Sequence, residues 1–129
     1  MATNLVRPRP ADLIRHHAHP ALEARCAFSI IVPAYNEQLA LGEAVHRIVE
    51  LLGESGYEII IVEDGCTDYT PVIAAELRML HPHVQHIHST VRLGKGRAVA
   101  EGMRVSRGDV VVLMDADMST DPSRLVEYV

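Results

Sequence analysis

Ile59-Ile60-Ile61-Val62-Glu63-Asp64-Gly65-Cys66-Thr67-Asp68-Tyr69-Thr70-Pro71 is the stretch that decides the fold. Four aliphatic residues in a row read as a strand buried on both faces. Thr70-Pro71 then opens a helix, as N-cap and first helical residue, with Val72, Ile73, Leu77 and Leu80 on its apolar face. A doubly buried strand running into a helix is the repeating unit of a parallel sheet covered by helices. The same unit recurs on either side. Upstream, Ser29-Ile30-Ile31-Val32 is a buried strand stopped by Pro33, followed by a helix with Leu41, Val45, Ile48 and Leu52 on one face and Gly53 at its end. Downstream, Val84 to His88 reads as a short, more polar strand at a sheet edge, and Gly96 to Ser106 as a third helix. Val110-Val111-Val112-Leu113-Met114 reads as a buried fourth strand, and Asp121-Pro122 starts a fourth helix. Right-handed crossovers put helices on both faces of such a sheet.

Composition agrees with this architecture. The chain of 129 residues is one domain at most, 48% hydrophobic and only 4% aromatic, so its core is aliphatic, as a Val/Ile-rich parallel sheet requires. A net charge of −5 argues against nucleic acid as a partner. The charge is uneven. Residues 1–25 carry four arginines against Asp12 and Glu23, whereas residues 26–129 carry eight basic and fifteen acidic side chains. Arg7-Pro8-Arg9-Pro10 and His16-His17-Ala18-His19-Pro20 show no sustained period, so residues 1–25 read as a flexible basic leader ahead of a folded unit at 26–129. Cys26 and Cys66 do not make a disulfide framework, and no apolar run approaches a membrane span or a signal peptide. The expected location is cytoplasmic. The last residues fall inside the fourth helix, which reads as truncation of a longer domain after its fourth strand.

In an open α/β sheet, ligands bind beyond the C-terminal ends of the strands. Here those ends carry Pro33-Ala34-Tyr35-Asn36-Glu37, Glu63-Asp64-Gly65-Cys66-Thr67-Asp68 and Asp115-Ala116-Asp117. Helix capping accounts for Asp68, Thr70 and Asp121, but not for Glu63, Asp64, Asp115 and Asp117, which stand directly on strand tips. Paired carboxylates repel, and a hard divalent cation such as Mg²⁺ or Mn²⁺, usually shared with substrate phosphates, removes that cost. Arg92-Leu93-Gly94-Lys95-Gly96-Arg97 enters a helix with three cations and two glycines, a natural phosphate site. It lacks P-loop spacing, and no G-x-G-x-x-G follows the first strand. Strand-tip acids, a metal and a basic loop together point to a nucleoside-diphosphate ligand.

Four segments in this order, Ser29 to Glu37, Glu63 to Thr70, Gly94-Lys95-Gly96 and Met114 to Asp117, resemble family 2 glycosyltransferases of the GT-A fold. The resemblance is strongest to the polyprenyl (dolichyl) phosphate mannose or glucose synthases, and it covers about residues 28–129. It implies a GT-A, Rossmann-like, mostly parallel sheet. It also implies transfer of a sugar with inversion from a UDP- or GDP-sugar to a polyprenyl phosphate at the cytoplasmic face of a membrane, with Mg²⁺ or Mn²⁺. By the same resemblance, Pro33, Ala34, Tyr35 and Glu37 line the nucleotide pocket, with Glu63 beside them, and Asp64 hydrogen-bonds the base. Lys95 and Arg92 lie near the phosphates. Asp115 and Asp117 are the catalytic metal ligands, with Ala116 against the ribose and Ser119 where some relatives place a further ligand. The family's Asp-Asp-Gly-Ser is here Glu63-Asp64-Gly65-Cys66, with a carboxylate one methylene longer and a thiol for a hydroxyl.

Two other readings stay open at this stage: a truncated nucleotide-sugar-binding module without catalysis, and part of a polysaccharide or cell-wall synthase. His81, His83, His86 and His88 read as a solvated edge strand, because nothing supplies the Cys or carboxylate partners and second shell of a zinc site.

Overall fold

The computed structural model describes residues 13–17, 26–53 and 55–117. In chain order the elements are β1 (Ile14–His17), β2 (Cys26–Ala34), α1 (Leu41–Leu52), β3 (Tyr57–Asp64), α2 (Thr70–Leu80), β4 (Val84–Ser89), α3 (Lys95–Val105) and β5 (Gly108–Leu113). They form one five-stranded sheet in the order β1-β4-β3-β2-β5. Four strands are parallel, and β1 runs antiparallel to β4.

Strand alternation sorts the core into two layers. Phe28, Ile30, Val32, Ile59, Ile61 and Val84 point to the face covered by α1 and α2, where they meet Leu41, Val45, Ile48, Ala74 and Leu77. Ile31, Ile60, Val62 and Ile87 point to the other face and meet Ala98 and Val105 of α3. Every residue of β3 is buried. This is the expected three-layer arrangement, and it has a consequence for position: the chain reverses its direction of travel across the sheet between β2 and β5, so the C-terminal tips of those strands flank the crevice where such sheets bind ligands.

The structure departs from expectation at four places. Pro33 does not stop its strand but pairs in register with Val62. Ile31 O accepts from Met114 N, the last bond to the β5 side, so Pro33, two residues on, lacks its N–H where the ladder has already ended. The strand at Val84–Ser89 is internal, because Ile14–His17 from the leader lies along it as the true edge strand. β5 is less buried than its apolar run suggests, with Val110 51% and Leu113 52% exposed, since among the described residues it has a strand neighbour on one side only. The helix after Asp68 begins at Thr70 with Tyr69 as its N-cap residue, so Thr70 is free for another task. The fourth helix at Asp121-Pro122 and the rest of the leader lie outside the described residues.

The N-terminal edge of the sheet is fastened by a buried carboxylate. Glu58, 1% exposed, accepts from Ser29 Oγ at 2.7 Å, Gln85 Nε2 at 2.5 Å, Arg107 N at 2.6 Å and the Arg107 guanidinium at 3.2 Å. Ser29 Oγ in turn accepts from Gly108 N at 2.8 Å. Gly108 is required there, because a Cβ would lie 2.4 Å from Phe28 C and 2.5 Å from Ser29 N.

Candidate functional site

At the C-terminal rim the β2–α1 and β3–α2 loops are laced together. Asn36 takes a left-handed conformation, φ 50°, and its side chain accepts from Thr67 N at 2.8 Å and donates to Thr67 Oγ1 at 3.2 Å. Glu37 N donates to Thr70 Oγ1 at 2.8 Å and Gln38 N to Asp68 Oδ2 at 3.2 Å. Asp68 Oδ1 accepts from Thr70 N at 2.9 Å and Gln38 Oε1 from Tyr69 N at 3.1 Å. Cys66 sits within this lacing: its thiol donates to Ala34 O and accepts from Asn36 N, both at 3.4 Å. Burial pushes the Cys66 thiol above its ordinary range, which suits a hydrogen-bonding filler rather than a nucleophile.

Asp64 organises the second part of the site. It is 2% exposed and accepts from Arg92 Nη1 at 2.5 Å, Leu93 N at 2.5 Å and Gly94 N at 3.1 Å. Its carboxylate therefore shapes the loop ahead of α3, leaving Oδ1 one further acceptor position. The loop passes so close to β3 that residue 65 must be glycine: φ is 64°, and a Cβ would stand 2.5 Å from Arg92 N. Arg92 then lies over the Tyr35 ring, 3.7 Å from its centroid. Lys95 Nζ meets Asp115 Oδ1 at 2.8 Å, and this bond raises the lysine pKa.

Together Pro33, Tyr35, Glu37, Asp64, Arg92, Lys95 and Asp115 line a pocket of about 230 Å³ at the crevice between β2 and β5. Asp117 is exposed on the same rim. Burial, and after it the charges of Asp117, Asp68 and Asp115, raise the Glu37 carboxyl above its ordinary value. Glu37, Asp115 and Asp117 thus bring hard oxygen donors to one rim, the donor type that hard divalent ions prefer.

Three residues expected in the pocket are elsewhere. Ala34 and Ala116, 1% and 2% exposed, pack in the apolar layer under α1 and α2. Glu63 follows the strand alternation: Asp64 faces the pocket, so its neighbour must face the opposite layer. There it is fully buried, with Oε2 3.1 Å from His86 Nε2 and 2.5 Å from His88 Nδ1. The histidines of β4 thus have a carboxylate partner, brought from 23 and 25 residues away. Counting parity along Ile59 to Asp64 would have separated Glu63 from Asp64. Nothing local signalled Asn36 and Thr70 as lacing residues or Glu58 as a clamp. Ser119 lies outside the described residues.

The chain is similar to known proteins in sequence and fold. The chain is 38% identical over 113 residues to glycosyltransferase AglD of Haloferax volcanii, covering 84% of this chain and 18% of that protein. It is 38% identical over 104 residues to a dolichol-phosphate mannosyltransferase of Pyrococcus furiosus, covering 78% and 29%. The chain thus spans well under a third of the length of these two relatives. Among solved structures, the mannosyltransferase PcManGT from Pyrobaculum calidifontis, in complex with GDP-Man and Mn²⁺, superposes with a TM-score of 0.66 at 31% identity over 72% of this chain and 28% of that one. TarS 1–349 of S. aureus shares the fold with a TM-score of 0.65 at 24% identity, over 70% and 27%. The model of the family "Glycosyl transferase family 2" matches residues 29–129, from within β2 through all three strand-tip motifs, and the chain belongs to that family.

Proposed function

We propose that the rim pocket is the donor site of an inverting glycosyltransferase that takes its sugar from a nucleoside-diphosphate sugar and passes it to a polyprenyl phosphate. The observation that carries this reading is the pocket at the β2/β5 crevice. There Asp64 fastens a cationic loop, and Asp115 and Glu37 line the same pocket. Tyr35, already stacked under Arg92, offers a flat wall for a base. Lys95 is placed for the diphosphate, exchanging its bond to Asp115 for one to a phosphate oxygen. The exposed backbone N–H groups at the start of α3 add donors of the same polarity. Asp115 and Asp117, with Glu37 beside them, are the residues that would hold Mg²⁺ or Mn²⁺, which when bound supplies Lewis-acid stabilisation of the departing diphosphate.

The acceptor part of the reading rests on the relative named a dolichol-phosphate mannosyltransferase. A lipid phosphate is already an anionic nucleophile and needs no general base, consistent with a pocket whose carboxylates are engaged with cations or crowded together. None of the helices among the described residues is long and apolar enough to cross a membrane. The neighbour bound to GDP-Man makes the guanine nucleotide the first ligand to test.

Calorimetric titration of the chain with GDP, GDP-mannose, UDP and UDP-glucose, with and without Mn²⁺, tests the proposal. Metal-dependent binding of one nucleotide, lost in Asp115→Asn/Asp117→Asn, is expected. Absence of binding to a folded chain would refute it.

A further inference from the structure

We propose that Glu63, His86 and His88 form a second metal site, on the sheet face opposite the rim pocket, that takes a borderline transition-metal ion of the Zn²⁺ class. One nitrogen from each histidine and one Glu63 oxygen lie within 4.8 Å of one another. They come from two adjacent parallel strands, with Glu63 in register with His88, so the backbone holds all three at a fixed spacing.

The cluster has more donor capacity than its own hydrogen bonds use. Both imidazoles approach the same oxygen, Oε2. Oε1 is buried and has no partner among the described residues. A buried carboxylate oxygen without a partner is costly, and its usual explanation is an ion, a water or a functional role. Glu63, His86 and His88 also border an open cleft of about 870 Å³ beside α2, lined further by Val72 and Met79 and by the polar His17, Glu76 and Arg78. The cluster therefore has an entry path.

The donor chemistry selects the ion. Two imidazole nitrogens and one carboxylate suit Zn²⁺, and they leave a fourth position open to the cleft. Mg²⁺ and Mn²⁺ prefer all-oxygen sets, so the two sites would sort different metals. Ligand atoms about 2.0–2.1 Å from a tetrahedral ion stand roughly 3.3 Å apart. The His86 pair at 3.1 Å is near that spacing, and the His88 pair at 2.5 Å must open. The His88 side chain, 31% exposed, has room to do so. Any proton on the ligating nitrogens leaves to solvent or to the other ring nitrogen on binding.

The test is titration of the full chain with Zn²⁺ against a chromophoric chelator, with Co²⁺ as a spectroscopic substitute. One equivalent of Zn²⁺ is expected, together with the intense visible absorption of four-coordinate Co²⁺. His88→Ala and Glu63→Gln should each weaken binding by about 100-fold or more, as loss of a direct ligand exceeds the 10–100-fold cost of losing an outer partner. His88→Ala removes the half-buried member and keeps the chain folded, as far-ultraviolet circular dichroism would verify. Asp115→Asn/Asp117→Asn should retain Zn²⁺ while losing Mn²⁺-dependent nucleotide binding, which separates this site from the donor site. Absence of stoichiometric Zn²⁺ binding by the wild type would overturn the proposal. So would binding unchanged in both cluster variants, or Zn²⁺ binding lost in the Asp115→Asn/Asp117→Asn chain.

Discussion

Asp64→Asn isolates the device that shapes the rim pocket. The carboxylate takes Leu93 N on Oδ1, and Arg92 Nη1 with Gly94 N on Oδ2. An asparagine has one acceptor oxygen. If that oxygen stays on Leu93, the amide nitrogen is turned onto Gly94 N–H and the guanidinium, donor against donor. The lost charge-assisted bond to Gly94 N costs about 1.5–3 kcal/mol. The Arg92 pair adds little, about 0–1 kcal/mol, because the arginine side chain is 50% exposed. The expected destabilisation is about 3 kcal/mol, which at an m-value of about 2 kcal/mol/M moves the urea midpoint by roughly 1.5 M with m unchanged. Arg92→Ala is the internal control. It removes the exposed ion pair and the contact with Tyr35 but no backbone anchor, for about 1 kcal/mol. Amide exchange at Leu93 and Gly94 should accelerate in Asp64→Asn and not in Arg92→Ala. A loss in Asp64→Asn below 1 kcal/mol, or equal losses in the two variants, would show that the loop is not held by this carboxylate.

Further outcomes follow from other parts of the structure. Glu37→Gln should stabilise the ligand-free chain while weakening Mn²⁺-dependent nucleotide binding. The Glu37 carboxyl is raised in the folded state, so its charge costs stability as pH rises through the folded value. Wild type and variant should therefore coincide below the ordinary glutamate range and diverge above it in urea titrations run across pH. Glu58→Gln should cost about 3–5 kcal/mol in thermal or urea unfolding, because it leaves the Gln85 amide and the Arg107 guanidinium facing a donor inside the sheet. Gly108→Ala should cost about 3 kcal/mol or more, since the new methyl meets backbone atoms of Phe28 and Ser29 that no rotamer change can move.

The parts of this fold legible in sequence are those whose cause is local. Ile30 to Val32 and Ile59 to Val62 announce doubly buried strands by themselves, and the 3.6-residue spacing of Leu41, Val45 and Ile48 announces the helix that covers them. β4 misleads because Gln85, His86 and His88 read as solvent-facing, while their partners Glu58 and Glu63 come from a neighbouring strand 23–27 residues earlier. Ile14–His17 carries four residues with no period, and only the pairing with β4 gives it a structure. In the site, Tyr35, Glu37, Asp64, Arg92, Lys95 and Asp115 could be anticipated from strand-tip position and charge. That Asp64 holds its own loop could not, because a hydrogen-bond partner 28–30 residues away leaves no pattern in the chain.

The Glu58 cluster also guards the alignment of the strands. A slip of β3 by one residue would exchange the two faces of that strand. It would drive the Glu58 carboxylate into the layer of Leu41, Val45 and Ile48, and carry Asp64 away from the loop it anchors. The ions on this strand thus act as proof-readers of its pairing: they make the neighbouring registers, which the run of three consecutive isoleucines would tolerate almost equally well, prohibitively poor. A strand built of near-identical side chains gains a single address from the charges at its two ends, and the rim pocket inherits its accuracy from the opposite edge of the sheet.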